Sequence, residues 1–424
     1  MTRTLYSIDS ALPPGVLRAP AKPWLAISAV LLLAGACKQA DKPPAGEAKP
    51  SAEAKPAAAA AGDIVLGILA DLTGATADVG KPYNEGMLAY IDNLNSQGGI
   101  QGKKINALSE DYAYKVPNAE EKYKKYVQAG AVAIQGWGTG DSEALRGKVK
   151  GDELPFMSAS YAEPLTDPKQ SPYNFVVAPT YSDQMRIALD QIAAADPGAQ
   201  VAVFHHDSPF GMAPVADGAQ WIKDRGYKLG YKDYAMKGGA TDHVGLLQQA
   251  KDQGAKFIVI QNISSPAATV ARDIAAQKLD MKIVCLNWCA DELFIKLAGP
   301  AAEGHWMVQP FTPPTVGKPG HEAVRAYGKA KGFDLEAKGL HFVQGWYTMH
   351  VMAKGMEKVL GDGKPLTGPN LRAALETMDA VDTGGVIGPV KFSADSHRGA
   401  MAAGVYKVDG GKIVEVAAAV TPKK

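Results

Sequence analysis

The sequence predicts an α/β fold made of two doubly wound parallel-sheet lobes joined by a multi-crossing hinge. Three observations support this. Short apolar runs alternate with helical patterns, as when crossover helices lay strands in parallel. The alternation runs through once, pauses near 173–177, and starts again at similar length. Beyond Pro310 no third series follows, so the remaining helices and strand-like runs are free to return to both lobes.

Bulk properties agree with such a fold. The 424 residues exceed a single core, and 46% hydrophobic content supplies apolar surface for two. With 45 basic and 44 acidic residues the formal net charge is +1, which points to neither nucleic acid nor another polyanion. Three cysteines are too few for a disulfide scaffold. Cys285 and Cys289, four apart across a turn, either form a disulfide or leave Cys285 buried in its strand.

At the N-terminus, Arg18 and Lys22 precede an apolar run over 24–33, and Ala34-Gly35-Ala36-Cys37 follows. That is the pattern of an export signal over 1–36. The small residues ending in cysteine look like a bacterial lipobox, which implies cleavage before Cys37 and lipid on its thiol. A plain secretory peptide cut near Ala36 is the other reading. Residues 37–62 are mostly Ala, Pro, Lys and Glu, too poor in apolar groups to fold, and read as a disordered tether. No later run is long and apolar enough to span a bilayer.

The first series opens with a buried strand at 64–70 (IVLGILA) and a loop over 71–76. A helix is expected over 82–96, with Pro82 in its first turn and Gly98-Gly99 ending it. Strand 104–109, helix 118–128, strand 131–135, helix 142–150 and strand 155–158 follow. The second series is helix 182–195, strand 200–204, helix 213–225, strand 228–234, helix 242–253, strand 256–260, helix 267–278 and strand 282–286. The tail shows helices at 340–359 and 369–378 and strand-like runs at 386–392, 404–408 and 413–416. The expected division is 63–178 with 310–382 for the N-terminal lobe, and 179–309 with 383–420 for the C-terminal lobe.

Open parallel sheets receive ligands at the C-terminal ends of their strands, so two such sheets edge to edge make a cleft. The stretch from Gly136 to Ser142 fits one wall. A strand runs into glycines that permit close backbone approach, and Asp141 or Ser142 then opens a helix with free N–H groups. Trp137 adds an apolar wall and Thr139 a hydroxyl. Catalytic signatures are missing, since neither Gly-x-Ser-x-Gly nor a phosphate-binding glycine loop occurs. His205-His206-Asp207 sits at a strand end where neighbours point to opposite faces, so no metal is expected there.

Several segments carry a family resemblance: Gly67 to Gly74 with Gly80, Ile91 to Gly102 with its Gly-Gly-Ile-x-Gly turn, Pro155 to Ser158, His206 to Gly211, and Gly385 to Phe392. The chain resembles the type I periplasmic binding proteins of ABC importers, in particular the leucine/isoleucine/valine-binding and amide-binding group, over about 64–410. The resemblance implies the type I periplasmic binding fold, with two lobes closing over a small molecule and delivering it to permease subunits in the inner membrane. It implies a monomer without cofactor or covalent chemistry. Together with the leader it implies an exported protein, attached to a bacterial membrane only through lipid.

Carried over residue by residue, the resemblance makes Thr139 a ligand hydroxyl. Ser158, Ser160 and Tyr161 fall where N–H and hydroxyl groups hold a ligand carboxylate. Phe210 stands where tyrosine is common, and Ser264 lies in the ligand-facing loop after 256–260. The departure is Trp288, which stands about where amino-acid binders place an acid to pair with the α-ammonium. A buried ammonium without a counter-charge is costly, so α-amino acids are in doubt. Asp291 either reaches in or caps the helix that starts there. An apolar or flat ligand with a carboxylate or amide end suits a wall of Trp137, Tyr161, Phe210 and Trp288. Branched-chain amino acid-like solutes, aromatic acids and amides are the expected classes. The alternatives are a ligand-sensing receptor ectodomain of the same fold and an exported hydrolase.

Overall fold

The computed structural model describes residues 62–423. The expected export signal, Cys37 and nearly all of the tether lie outside the described residues. In the first sheet, β1 (Ile64–Ala70) is apolar on both faces and almost fully buried, as a central strand covered on both sides must be. With β2 (Ile105–Asp111), β3 (Ala133–Gly136), β4 (Phe156–Ser158) and β5 (Asn174–Phe175) it forms a parallel sheet in the order β2-β1-β3-β4-β5. The crossovers are α1 (Ala77–Ser96), α2 (Val116–Gln128) and α3 (Thr139–Gly151).

The chain then enters α4 (Tyr181–Ala195), whose start is fixed by a capping box in which Thr180 and Asp183 each bond the other's backbone N–H. Four parallel strands follow: β6 (Gln200–His206), β7 (Gly230–Met236), β8 (Ala255–Gln261) and β9 (Lys282–Cys285). They alternate with α5 (Pro209–Met212), α6 (Val215–Asp224), α7 (Val244–Asp252), α8 (Ser264–Ala276) and α9 (Glu292–Ala298). Next, β10 (Trp306–Gln309) pairs in parallel with β9, and β11 (Ala403–Asp409) and β12 (Lys412–Val420) extend the edge antiparallel. The order is β12-β11-β10-β9-β8-β6-β7. Both sheets are therefore doubly wound, in two lobes.

Some elements depart from expectation. Helix α1 starts at Ala77, so Pro82 lies inside it and removes a bond to the Asp78 carbonyl. Helix α3 starts at Thr139 with Gly138 as N-cap, ahead of Asp141 and Ser142. The expected helix 213–225 is observed as α6, with Pro214 at its N-cap, and the short α5 before it was not expected. No strand forms over 386–392: the Thr383 hydroxyl bonds both the N–H and the carbonyl of Ile387 and holds a turn. Val386, Val390 and Phe392 pack in the core of the first sheet, and the chain joins the second sheet only from Ala403. Strand β10 and α10 (Pro319–Lys331) were not anticipated, α10 because its polar surface masks a narrow apolar stripe.

After α10 and the short α11 (Leu335–Lys338) comes α12 (Leu340–Gly361), buried on almost every side, and then α13 (Gly368–Thr377). Among the described residues no helix is long and apolar enough to cross a membrane. Helix α12 packs on α1 through a reciprocal glycine contact. A Cβ on Gly86 would stand 1.9 Å from the Phe342 carbonyl oxygen, and one on Gly345 would stand 1.9 Å from that of Tyr83. Only hydrogen fits between these backbones. We therefore expect Gly345→Ala to push the helices apart and lower stability by about 1–3 kcal/mol. Urea denaturation checks this; an unchanged midpoint would show that the crossing has slack.

Candidate functional site

The C-terminal ends of both sheets meet at a cavity lined by Thr76, Val79, Tyr114, Trp137, Gly138, Thr139 and Ala159 from one side and Tyr181, Phe210, Ile263 and Trp288 from the other. It measures about 20 Å³, room for about one water. The two tryptophans close it: their rings meet across the lobes at 4.9 Å between centroids and 62° between planes. Trp137 Nε1 donates to Thr76 Oγ1 (2.9 Å), and Trp288 Nε1 donates to the Tyr181 hydroxyl (2.8 Å). Tyr83 packs edge-on against both indoles.

Of the residues expected at the site, Trp137, Thr139, Phe210 and Trp288 line this cavity, whereas Ser158, Ser160 and Tyr161 stand one layer behind it. The serine hydroxyls form a chain. Ser142 donates to the Gly138 carbonyl (2.6 Å) and so accepts from Ser158 at 2.7 Å, and Ser158 in turn accepts the Ser160 N–H at 2.9 Å. Ser160 is engaged with Thr139 at 2.7 Å. The chain holds the glycine-rich turn in place rather than presenting donors to the cleft. Tyr161 stacks on Trp288 (5.8 Å, 19°) and shapes its pocket from behind.

The N-terminus of α3 is also occupied from within. Asp141 accepts from the Tyr112 hydroxyl (2.8 Å), and burial pushes its carboxyl up to about 7 against the lowering by that bond.

Asp291 caps α9 and does not reach into the cavity. One carboxylate oxygen accepts the Phe294 N–H (2.7 Å); the other accepts from Ser264 Oγ (2.5 Å) and faces His341 Nε2 at 2.6 Å. His341 Nδ1 faces Gln344 Oε1 at 2.6 Å. The Gln344 amide is oriented by its N–H groups, which donate to Asn287 Oδ1 and Gln309 Oε1. Both ring nitrogens of His341 thus face acceptors, a demand only the imidazolium satisfies. Burial alone would lower the His341 pKa, but the bond and charge of Asp291 outweigh it and the net shift is upward. Ser264 bonds the carboxylate rather than the histidine, so the three residues are not arranged as a nucleophile with its base.

A second link across the cleft joins the starts of α1 and α8. Asp78 Oδ2 accepts from the Ser265 N–H (3.2 Å) and Oγ (2.6 Å). Sequence reasoning placed Ser265 in the ligand-facing loop but missed Asp78 and His341, because each pairs with a residue remote in the chain. It also missed Tyr114 and Tyr181 in the wall. Ala113 and Tyr114 both sit at positive φ (53° and 56°), and such strain in two successive non-glycine residues accompanies the turning of Tyr114 into the cavity. Cys285 and Cys289 are free buried thiols, with Cys289 Sγ on the Ile260 carbonyl at 3.5 Å. His205 Nδ1 faces the His206 carbonyl and His206 Nδ1 faces Ser208 Oγ, in keeping with a polar strand end. Among the described residues no cluster of His, Cys, Asp and Glu could hold a metal.

Comparison with known proteins places this geometry in context. The family model described as "Periplasmic binding protein" matches residues 63–412. The Leu/Ile/Val-binding protein homolog 2 of Brucella abortus is 24% identical over 280 residues, 65% of this chain and 74% of that protein. A branched chain amino acid ABC transporter protein from Thermus thermophilus, crystallised with bound valine, superposes with a TM-score of 0.80 at 24% identity, covering 85% of this chain and 96% of its own. An ABC transporter substrate binding protein from Aeropyrum pernix gives 0.78 at 26% identity, over 85% and 97% of the two chains.

The His341–Asp291 pair has a defined pH signature. A histidine whose pKa is raised on folding adds stability fully present below its unfolded value, near 6.5, and lost as pH rises through the folded value. His341→Gln should therefore destabilise by about 3 kcal/mol or more in mild acid, with the gap to wild type narrowing at alkaline pH. Denaturant midpoints measured from about pH 5 to 9 test this. A gap that widens with pH would contradict a charged His341.

Proposed function

We propose a function from one premise: the chain belongs to the periplasmic binding protein family. Membership implies an extracytoplasmic location. There the protein captures a small solute between its two lobes and delivers it to the permease of an ABC importer, as a monomer held to the membrane by lipid on Cys37. The lobes comprise 63–178 with 310–382 and 179–309 with 383–420, with 383–402 lying along the first.

The observation that carries this reading is the cavity, whose wall is complete only when both sheets contribute. Trp137 against Trp288 and Asp78 against Ser265 are contacts between the two walls that an opening of the lobes would break. A solute that adds contacts to both walls shifts the open–closed equilibrium by its differential affinity for the shut form. A cavity of about 20 Å³ is too small for such a solute, so the indoles move apart as it enters.

The expected solute classes now differ in merit. The lining holds no charged side chain, and Asp291 is committed elsewhere, so a primary ammonium would lack a counter-charge. Branched-chain amino acids, which the names of relatives bring to the test, are disfavoured on this ground against uncharged amides. We expect native mass spectrometry of freshly purified protein to show a bound small molecule. Trp137→Ala should weaken its binding by roughly 1–4 kcal/mol in calorimetry while the fold stays intact. An unchanged affinity would remove Trp137 from the site.

A further inference from the structure

Five aromatic rings, Tyr114, Trp137, Tyr181, Phe210 and Trp288, line the cavity without one charged side chain. They enclose it as inclined walls: Trp137 and Trp288 stand at 62° and Tyr181 and Phe210 at 61°. The N–H edges of both indoles, where the ring quadrupole is positive, are already turned to the oxygens of Thr76 and Tyr181. A visitor therefore finds no free indole N–H, and the Trp288 ring already stacks on Tyr161 and on His341.

The hydroxyls in the wall have little capacity left. Thr76 Oγ1 donates to Asp71 Oδ2 (2.6 Å) and accepts from Trp137, and Thr139 is engaged with Ser160. A primary ammonium carries three N–H donors and would find only hydroxyls here, those of Tyr114 and Tyr181 included, with no carboxylate to match its charge. A quaternary ammonium carries none, is weakly hydrated, and is held by aromatic faces through cation–π attraction.

The surroundings favour a cation over a neutral group of the same shape. Three carboxylates stand just behind the first-lobe wall. Asp71 is fully buried and holds Thr76 by its N–H and hydroxyl. Asp141 is 2% exposed with Oδ2 unpartnered, two residues beyond Thr139. Asp78, next to Val79, has Oδ1 unpartnered. No lysine or arginine lines the cavity, and the charge of His341 is matched by Asp291. The titratable groups nearest the cage are thus acids, although burial raises the pKa of Asp78 and Asp141 and no carboxylate touches the cavity.

We propose that the solute taken by this site carries a small quaternary ammonium group, seated among Tyr114, Trp137, Tyr181, Phe210 and Trp288. This rests on the solute-binding reading above and replaces the classes suggested by resemblance with one set by the cage. The test is calorimetry of the purified full chain with two pairs of probes that match in shape and differ in charge. Choline is paired with 3,3-dimethylbutan-1-ol, and glycine betaine with 3,3-dimethylbutanoate; leucine and valine are run alongside.

The expected result is that at least one ammonium probe binds about tenfold or more tightly than its carbon isostere. Phe210→Leu should cut that probe's affinity about fivefold or more while changing the isostere's less than twofold. Equal binding within a pair would overturn the quaternary-ammonium assignment and leave the solute-binding reading standing, as would binding of leucine or valine alone. If no probe binds and native mass spectrometry finds no co-purified molecule, both readings fall.

Discussion

The site depends on how one buried carboxylate is used. Asp291 bonds the Phe294 N–H, the Ser264 hydroxyl and His341, and so ties the starts of α9, α8 and α12 to one point beneath Trp288. In a low-dielectric interior a carboxylate must be matched, and His341 matches it. Two consequences follow. Trp288 is positioned by its stacking on His341 (5.2 Å, 27°) and by Ser264, whose hydroxyl also reaches the Trp288 carbonyl. The cavity, meanwhile, is left without a free acid.

The first-lobe wall is rigid for different reasons. The serine chain behind Thr139 fixes the glycine-rich turn, and the Gly86–Gly345 crossing sets the distance between α1 and α12. Helix α12 thus packs on α1 of the first lobe while its first turn bonds Asp291 of the second. Against this frame the direct links across the cleft mouth are few and polar, chiefly Asp78 with Ser265. Such a division suits a molecule that opens and shuts: the walls keep their shape, and only a small set of contacts is broken and remade.

Much of the fold was legible from period and punctuation. Buried strands such as 64–70 announced themselves as unbroken apolar runs, and the repeat of the alternation gave two sheets. Misreadings arose where one residue type carries two meanings. Pro82 looks like a helix start but is tolerated inside α1, and 386–392 reads as a strand although the Thr383 hydroxyl takes its backbone bonds. At the site, Trp137 and Thr139 could be found because each lies just past a strand end, whereas Phe210 and Trp288 were found through the family resemblance. Ser158 and Ser160 share that position but face inward, which residue type does not reveal. The partner of Asp291 was hidden for another reason: His341 lies fifty residues on, inside an apolar helical pattern, where nothing local distinguishes it from a core residue.

The central claim is that a solute closes the two lobes around the aromatic cavity. Its most direct test is the distance between spin labels at Lys115 and Met212, exposed positions on opposite sides of the cleft, with and without the co-purified solute. Closure predicts that saturating solute moves the distance distribution to a shorter, narrower population. A distribution that solute leaves unchanged would contradict the account.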